Sequence, residues 1–209
     1  MTRKVLLVAG VFILGALWVG PLPSWAQHHF SAHMLLHMGV VAVAAPLIAI
    51  GSAGETWDPA RRWPALFNPI VASVFELVVV WAWHAPAFHS AARTHTEMLL
   101  LEQTSFLVAG LWLWLAACGG AGADRTQRAW TGVAGLLFTS IHMTLLGALF
   151  ALTPRAIYRA HVDAGSLGDQ HLGGSIMLLL GGASYLAGGL WLTLVGLRAE
   201  AVGYRNRAA

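Results

Sequence analysis

Long apolar runs separated by short polar stretches dominate the chain. Six of these runs approach the roughly 20 residues that a helix needs to cross a bilayer, and Gly, Pro or charged residues punctuate the stretches between them. The pattern predicts an all-α polytopic membrane protein, with residues 1–209 as a single transmembrane domain built as a six-helix bundle. The expected helices cover residues 4–21, 30–51, 66–84, 97–117, 129–152 and 170–197.

The first apolar run has a second interpretation. It follows Arg3 and Lys4 and precedes Ser24-Trp25-Ala26, so it also resembles a signal peptide with a cleavage-like site. Because five more apolar runs follow, we expect an uncleaved signal-anchor helix. In either case residue 27 onwards begins on the outer side of the membrane.

The basic residues predict the orientation of the helices. Nine Lys and Arg residues fall on one side of the predicted bundle and three on the other. The larger set is Arg3, Lys4, Arg61, Arg62, Arg125, Arg128, Arg198, Arg205 and Arg207, and the smaller set is Arg93, Arg155 and Arg159. The positive-inside rule then places both termini in the cytoplasm. The chain is 57% apolar and only 10% charged, as expected for a protein surrounded by membrane lipid, and its formal charge of +3 requires no nucleic-acid partner.

The start of the second predicted helix carries the strongest chemical signal. His29, His33 and His37 are four residues apart and therefore share one helix face, which Met34 and Met38 flank. Imidazole and thioether groups suit copper, Cu(I) above all, rather than Mg²⁺ or Ca²⁺. Because the chain has a single cysteine, a soft-metal site must use His and Met.

The remaining histidines point to the same side of the membrane. All ten lie on or near the outer ends of the predicted helices, and every methionine after Met1 lies in an outer half. We therefore expect one copper site between the second, fourth, fifth and sixth predicted helices. Its ligands are expected among His33, His37, Met34, Met38, His84, His142, Met143 and Met177.

Each of these residues also has a purely structural interpretation. His84 can anchor the helix at the membrane interface, His142 can be a hydrogen-bonded core residue, and methionines commonly fill cores. His28 and His95 can simply face water, and for His89 and His161 we expect that outcome.

Two carboxylates lie inside predicted helices. Glu102 is about one and a half turns into the fourth helix. Glu76 is near the middle of the third, where a charge is expensive and is usually paired, protonated or near water. Glu76 can orient a ligating imidazole as a hydrogen-bond acceptor, or it can bind backbone or a serine, and the sequence favours neither.

The last predicted helix carries glycines at a spacing of seven residues, which keeps them on one side where a neighbouring backbone can come close. The two series are Gly174, Gly181 and Gly188, and Gly182, Gly189 and Gly196. We expect both to mark tight helix packing.

Several short motifs occur in order across almost the whole chain. They are Ser31-Ala32-His33-Met34-Leu35-Leu36-His37-Met38, Ala45-Pro46-Leu47, Trp83-His84-Ala85-Pro86, Glu102-Gln103-Thr104-Ser105-Phe106-Leu107, His142-Met143, and Asp169-Gln170-His171-Leu172-Gly173-Gly174 followed by Met177. In these motifs the chain resembles the CtaG family of membrane proteins that assemble caa-type cytochrome c oxidase. The resemblance implies an assembly factor of the bacterial cytoplasmic membrane, not an enzyme. It also implies oxidase subunits as partners and a role in maturing the oxidase's copper centre.

The resemblance further implies which residues form the site. The family's motifs map onto His33, His37, His84, Glu102, His142, Asp169 and Met177. Two positions depart from the family pattern, since Gln103 stands where a histidine is expected and His171 where a second glutamine is expected. We therefore add His171 to the expected ligands as a replacement imidazole. We also expect three carboxylates to orient the metal ligands through hydrogen bonds without binding the metal themselves. They are Glu102, Asp169 and Glu76.

Three functions are compatible with the sequence. The leading hypothesis is a copper-binding assembly factor that holds the metal near the outer leaflet and passes it to an oxidase subunit. The second is a membrane redox protein that binds haem b through axial histidines such as His37 and His142. The third is a metal-free scaffold whose histidines only form hydrogen bonds or sense pH.

Overall fold

The computed structural model describes residues 3–120, 125–158 and 167–208, and every regular element within these ranges is helical. The α-helices are α1 (Arg3–Val19), α2 (Leu22–Ala26), α3 (Phe30–Met38), α4 (Ala45–Ser52), α5 (Pro59–Arg62), α6 (Pro69–His84), α7 (Pro86–Thr94), α8 (Thr96–Cys118), α9 (Arg125–Leu152) and α10 (Leu167–Ala208). A π-helical segment, Gly39–Ala44, joins α3 to α4. The predicted all-α fold is confirmed.

Four helical runs are long and apolar enough to cross a membrane. They are Phe30–Ser52, Thr96–Cys118, Thr126–Leu152 and Leu167–Arg205. A fifth crossing results if α6 and α7, which meet at a bend of 70°, form one broken span. Helix α1 has 17 residues and is not among these runs. The apolar helices make this a membrane protein, while the count of six spans and the cytoplasmic position of both termini stay predictions.

The bend between α6 and α7 follows directly from the sequence. Asn68 caps the start of α6, because its Oδ1 accepts a hydrogen bond of 2.9 Å from the Ile70 amide. At the other end Pro86 disfavours helical geometry at the preceding residue, and Ala85 is extended. Helix α7 starts afresh at Pro86, packs on α8 and forms part of what we expected to be an outer loop.

Pro46 explains the π-helical segment and two of the contacts that surround it. Proline has no amide hydrogen, so the carbonyl groups one turn earlier lose their helical donor. The Ser184 hydroxyl donates to the Ala42 carbonyl at 2.6 Å, and the Trp114 indole donates to the Val41 carbonyl at 3.0 Å. Side chains from α10 and α8 thus satisfy the carbonyls that Pro46 leaves open, and they tie both helices to this segment.

The glycine series in α10 is only partly explained by close packing. A Cβ on Gly174 would lie 2.7 Å from the Gly147 carbonyl oxygen of α9, and one on Gly188 would lie 2.6 Å from the Trp114 ring. These positions confirm the expected close approach. Around Gly182 and Gly189, by contrast, the described part of the chain places no atom within 4 Å of the Cβ position. At these two positions the prediction of tight packing is wrong within the described chain.

Candidate metal site

Four histidine rings meet at one end of the bundle. His33 and His37 come from α3, His84 from the last residue of α6, and His89 from α7. The ring centroid of His33 lies 5.0 Å from that of His89 and 5.4 Å from that of His84. His37 lies 5.4 Å from His84 and 6.4 Å from His33. We call these four residues the histidine cluster, and all four are buried.

Three histidines of the cluster, His33, His37 and His84, have ring nitrogens without a hydrogen-bond partner among the described residues. Both ring nitrogens of His33 and of His37 are buried without a partner among the described residues. His84 Nδ1 lies 2.7 Å from the Val80 carbonyl oxygen. That oxygen can only accept, so Nδ1 carries the hydrogen and Nε2, which has no described partner, presents its lone pair. Such a backbone bond is the usual way to fix the tautomer of a metal-ligating histidine.

A buried ion pair borders the cluster. The Arg93 guanidinium of α7 pairs with Oε2 of Glu102 on α8, and it also donates to the Ala26 carbonyl at 2.8 Å. Gln103 Nε2 donates to the same Glu102 oxygen at 3.2 Å. Oε1 of Glu102 has no described partner. Glu102 therefore presents one carboxylate oxygen that is already engaged and one that is available.

Glu102 also approaches two histidines of the cluster. Its Oε2 lies 3.8 Å from Nδ1 of His33. One ligand atom from each of His33, His89 and Glu102 falls within 4.8 Å of the others. Two atoms that bind one ion at about 2.0–2.1 Å are at most about 4.2 Å apart, so a shift of roughly half an ångström would bring all three onto one metal ion.

Aromatic side chains enclose the cluster. Phe106 lies 4.0 Å from His37 and Tyr158 lies 4.0 Å from His89, as measured between ring centroids. Phe30 and Phe150 stack beside Tyr158. The Tyr158 hydroxyl donates to the His84 carbonyl at 2.7 Å. Burial, and after it the Glu102 carboxylate, raises the pKa of Tyr158 well above its ordinary value, so the phenol keeps the proton that this hydrogen bond needs.

The burial of His89 corrects one sequence-based expectation. We expected His89 to face water, yet only 2% of it is exposed. The reason is helix α7, which the sequence did not reveal because its Pro-containing polar stretch is typical of a loop. This helix turns both His89 and Arg93 toward the interior of the bundle. Their spacing of four residues on one helix face was the available signal. His28 and His95 are exposed, as the alternative interpretation had it, and His161 lies outside the described residues.

The structure buries both His142 and the methionines of the expected ligand set. The two ring nitrogens of His142 have no described partner, and its ring packs against Phe138. Met143 and Met177 are also buried. Met34 and Met38 point to α10, where they lie 3.2 Å from the Cβ positions of Gly173 and Gly181. The next residue along an α-helix is rotated by about 100°, which is why these two methionines face a different neighbour from His33 and His37.

Two residues from the motif at the start of α10 have other contacts. The Asp169 carboxylate accepts from the Phe30 amide at 2.6 Å and from the Ser31 hydroxyl, and so it caps α3 from a different helix. His171 is only half-buried, and its Nε2 bonds the Thr153 carbonyl at 2.9 Å. Asp169 thus positions the helix that carries His33 and His37, whereas His171 contacts the end of α9.

Glu76 lies in a separate polar group in the middle of the bundle. Its carboxylate accepts hydrogen bonds from Thr139 at 3.1 Å and from Tyr185 at 3.3 Å, and the Thr139 hydroxyl, whose one hydrogen is then used, also lies 3.1 Å from the Ser73 hydroxyl. All of these side chains are buried. Of the two alternatives left open by the sequence, the contacts favour a hydroxyl partner, although that partner is a threonine and a tyrosine rather than a serine.

The geometry of the cluster suits a single cation. Buried imidazoles and one carboxylate oxygen without a described partner provide donor atoms at one place, and a wall of aromatic rings encloses them. Buried nitrogens without partners are rare in proteins and call for a specific explanation, and a bound metal ion is one that would satisfy several of them at once.

Comparison with known proteins adds one strong likeness. No curated protein and no solved structure gives a match. The family model that does match describes the cytochrome c oxidase caa3 assembly factor (CtaG), and it covers residues 1–198. The chain therefore belongs to this family, and the resemblance noted from its motifs is confirmed.

Proposed function

We propose that this member of the cytochrome c oxidase assembly factors binds copper in the histidine cluster and delivers it to an oxidase subunit. The observation that carries the proposal is the convergence of buried imidazoles among which His33 and His37 have no hydrogen bond on either ring nitrogen, and His84 none on Nε2, within the described residues. In this role the protein handles copper as cargo and catalyses no reaction.

The donor set supports copper over the hard cations. Imidazole nitrogens dominate the cluster, and Mg²⁺ and Ca²⁺ prefer oxygen ligands. Among divalent ions of the first transition row, Cu²⁺ binds nitrogen donors most tightly, and Cu(I) accepts a small number of imidazoles or thioethers. His142 and the buried Met143 and Met177 supply further donors of these types close by or deeper in the bundle.

Within the proposed site, His33, His89 and Glu102 would be the first ligands, because one ligand atom of each already lies within 4.8 Å of the others. His37 and His84, whose rings neighbour that of His33, would complete the site. The expected role of Asp169 becomes that of a helix cap for α3, and Glu76 and His171 would take no part. Met34 and Met38 would support α3 by packing on α10.

The position of the cluster is consistent with delivery outside the cytoplasm. It lies at the end of the bundle where α3 and α8 begin, which the positive-inside count predicts to be the outer side. We propose six membrane crossings with both termini in the cytoplasm of a bacterial cell, α1 being the first and the bent pair α6–α7 the third. In that arrangement α7 forms the outer cover of the site.

Copper analysis of the purified protein tests the proposal. The protein is loaded with Cu(I) under reducing conditions, passed over a desalting column and analysed for copper and for protein. We expect about one retained copper per wild-type chain. His33→Ala/His37→Ala should lose most of it, because it removes one ligand that the structure already brings together with His89 and Glu102 and one neighbouring imidazole of the cluster.

The matched control is His28→Ala/His29→Ala, which removes two exposed histidines that precede the same helix. It should retain copper like the wild type. Equal copper in all three proteins would exclude the histidine cluster as the metal site and would leave the metal-free scaffold as the better explanation. A Soret absorption band in a preparation grown with ample haem would instead support the haem b alternative. The rings of the cluster already pack against one another and against Phe106, an arrangement that suits an ion better than a porphyrin.

A further inference from the structure

A second polar site lies at the opposite end of the bundle. A cavity of about 430 Å³ opens where α4 and α8 end and α9 begins, and it is closed on one side by α10. His33 lies near the start of the helical run Phe30–Ser52. Ile50, which lines the cavity, lies near the end of the same run. The cavity is therefore separate from the histidine cluster by most of the length of a membrane-spanning helix.

Two arginines supply the charge of this cavity. Arg3 donates to the Ala53 carbonyl oxygen, which leaves its other guanidinium hydrogens available. Arg128 lies against Gly120, where a Cβ would be 3.0 Å from the centre of its guanidinium. Gly120 has a φ of 81°, a conformation that glycine adopts without strain. No carboxylate among the described residues lines the cavity.

The buried acidic group beside the cavity, Asp58, forms no ion pair with either arginine in the described chain. Asp58 is fully buried behind the cavity wall. Its oxygens accept hydrogen bonds from the backbone amides of Gly54 at 2.8 Å, Ala60 at 2.9 Å and Gly120 at 2.8 Å. Asp58 thus joins the two loops that border the cavity, and neither Arg3 nor Arg128 forms an ion pair within the described chain.

One part of the cavity wall is apolar. Ile50, Leu192, Val195 and the ring of Trp191 line it. A cavity that combines guanidinium groups without an ion-pair partner in the described chain with an aliphatic wall segment matches an amphipathic anion, and basic pockets between membrane helices on the cytoplasmic side commonly take lipid headgroups. The basic-residue count predicts that this end of the bundle is the cytoplasmic one.

We propose that this cavity binds an anionic phospholipid. Arg3 and Arg128 hold the phosphate of its headgroup, and one acyl chain lies along Ile50, Leu192 and Val195. Guanidinium groups form strong charge-assisted hydrogen bonds with phosphate oxygens, and the volume of the cavity falls within the range of small-molecule sites, about 300–1,000 Å³. The bound lipid would connect α1, α9 and α10, which otherwise meet here around an open space.

Lipid titration followed by native mass spectrometry tests the proposal on the full-length protein. The probes are phosphatidylglycerol, phosphatidylcholine with the same acyl chains, and inorganic phosphate. We expect phosphatidylglycerol to bind the wild type selectively. Arg3→Gln/Arg128→Gln should weaken that binding by about tenfold or more, since each basic side chain near a membrane surface contributes appreciably to anionic lipid affinity.

The matched control is Arg198→Gln/Arg205→Gln, which removes the same charge from two exposed arginines of α10. It should bind phosphatidylglycerol like the wild type. Equal affinity of wild type and Arg3→Gln/Arg128→Gln for this lipid would overturn the proposal, as would equal affinity of the wild type for phosphatidylcholine. If inorganic phosphate binds as tightly as the lipid and depends on the same arginines, the site takes free phosphate and the lipid assignment is wrong.

A second variant covers the case in which loss of the arginines unfolds the protein. Val195→Trp fills the cavity from its apolar wall and leaves both guanidinium groups in place. We expect this variant to melt within a few degrees of the wild type and to lose phosphatidylglycerol binding. Unchanged lipid binding in a folded Val195→Trp protein would also overturn the proposal.

Discussion

Nδ1 of His33 lies 3.8 Å from Oε2 of Glu102, a distance too long for a hydrogen bond that places the carboxylate directly beside the histidine cluster. This spacing sets Glu102 apart from the other buried carboxylates. Its second oxygen has no described partner, and the Arg93 guanidinium fixes the position of the first. Glu102 is thus held at the edge of the histidine cluster with one acceptor still available.

Replacing Glu102 by glutamine should weaken copper binding. The substitution keeps the size of the side chain and removes its charge, so a metal ion at His33 loses its nearest anionic neighbour. We expect the affinity to fall by about ten- to a hundredfold, as is typical when a group that supports a metal site is changed. Competition with a chromophoric Cu(I) chelator measures the affinity directly.

Glu76→Gln is the natural comparison for that experiment. Glu76 is equally buried, but its hydrogen bonds come from Thr139 and Tyr185 in the middle of the bundle. We expect its substitution to leave copper affinity unchanged. A loss of affinity equal to that of Glu102→Gln would mean that buried carboxylates act on the site through the general stability of the bundle.

The ion pair between Arg93 and Glu102 should matter strongly for folding. Removal of one member of a buried pair leaves an uncompensated charge and typically costs about 3–5 kcal/mol. We expect Arg93→Leu to lower the stability of the protein in detergent by an amount of this order, as measured by denaturant unfolding.

The double variant Arg93→Leu/Glu102→Leu separates the charge effect from the loss of packing. With both charges gone, it should recover much of the stability that Arg93→Leu loses. Arg155→Leu, at an exposed arginine, should change little. If the double variant is as unstable as the sum of both single changes, the pair does not act as a coupled unit.

Because of Tyr158, the free energy of unfolding should depend on pH in the alkaline range. Its hydroxyl donates to the His84 carbonyl, and its pKa is raised by burial first and by the Glu102 carboxylate next. The folded protein therefore holds this proton more tightly than the unfolded chain does. The resulting stability is fully present below pH of about 10, the ordinary pKa of tyrosine, and is lost as the pH rises above it.

Thermal unfolding of wild type and Tyr158→Phe over a pH series tests this expectation. Below pH of about 9 the variant should be less stable by about 1–3 kcal/mol, because the buried His84 carbonyl loses its donor. The difference should shrink in more alkaline buffer. Tyr204→Phe, at an exposed tyrosine, should show no such pH dependence, and a constant gap for Tyr158→Phe across the whole series would contradict the argument.

Much of the fold and part of the site could be predicted from periodicity and spacing. The run around His33 and His37 is a helix because its apolar residues are continuous, and the spacing of these histidines alone places them on one face. His84 follows because it ends a helix on the predicted outer side. These predictions depend only on local helix geometry, which follows directly from the spacing of residues in the sequence.

The side chains whose positions depend on tertiary contacts could not be predicted from periodicity and spacing. His89 reaches the site only because Pro86 turns α7 back over the bundle, and a Pro-containing polar stretch is more typical of a loop. Asp169 caps α3 from α10, a contact that joins residues far apart in the chain. Met34 and Met38 directly follow the two histidines in sequence, yet their side chains lie on a different face of the helix and point to α10.

The Ser184 hydroxyl and Pro46 should be energetically coupled through one carbonyl group. Proline at position 46 cannot donate to the Ala42 carbonyl, and Ser184 does so at 2.6 Å. In the Pro46 background, Ser184→Ala should therefore lower stability by about 0.6–1.7 kcal/mol, the range found for hydrogen bonds between membrane helices. In a Pro46→Ala background the new amide can donate to Ala42, so the same serine substitution should cost clearly less.

A double-mutant cycle on unfolding free energies measures this coupling. Ser175→Ala serves as a control, because the Ser175 hydroxyl donates to the His171 carbonyl one turn back in its own helix and has no role beside the proline. Its cost should be small and equal in both backgrounds. Strict additivity of Ser184→Ala and Pro46→Ala would show that the serine does not replace the missing proline amide. The π-helical segment after the histidine pair would then need another cause.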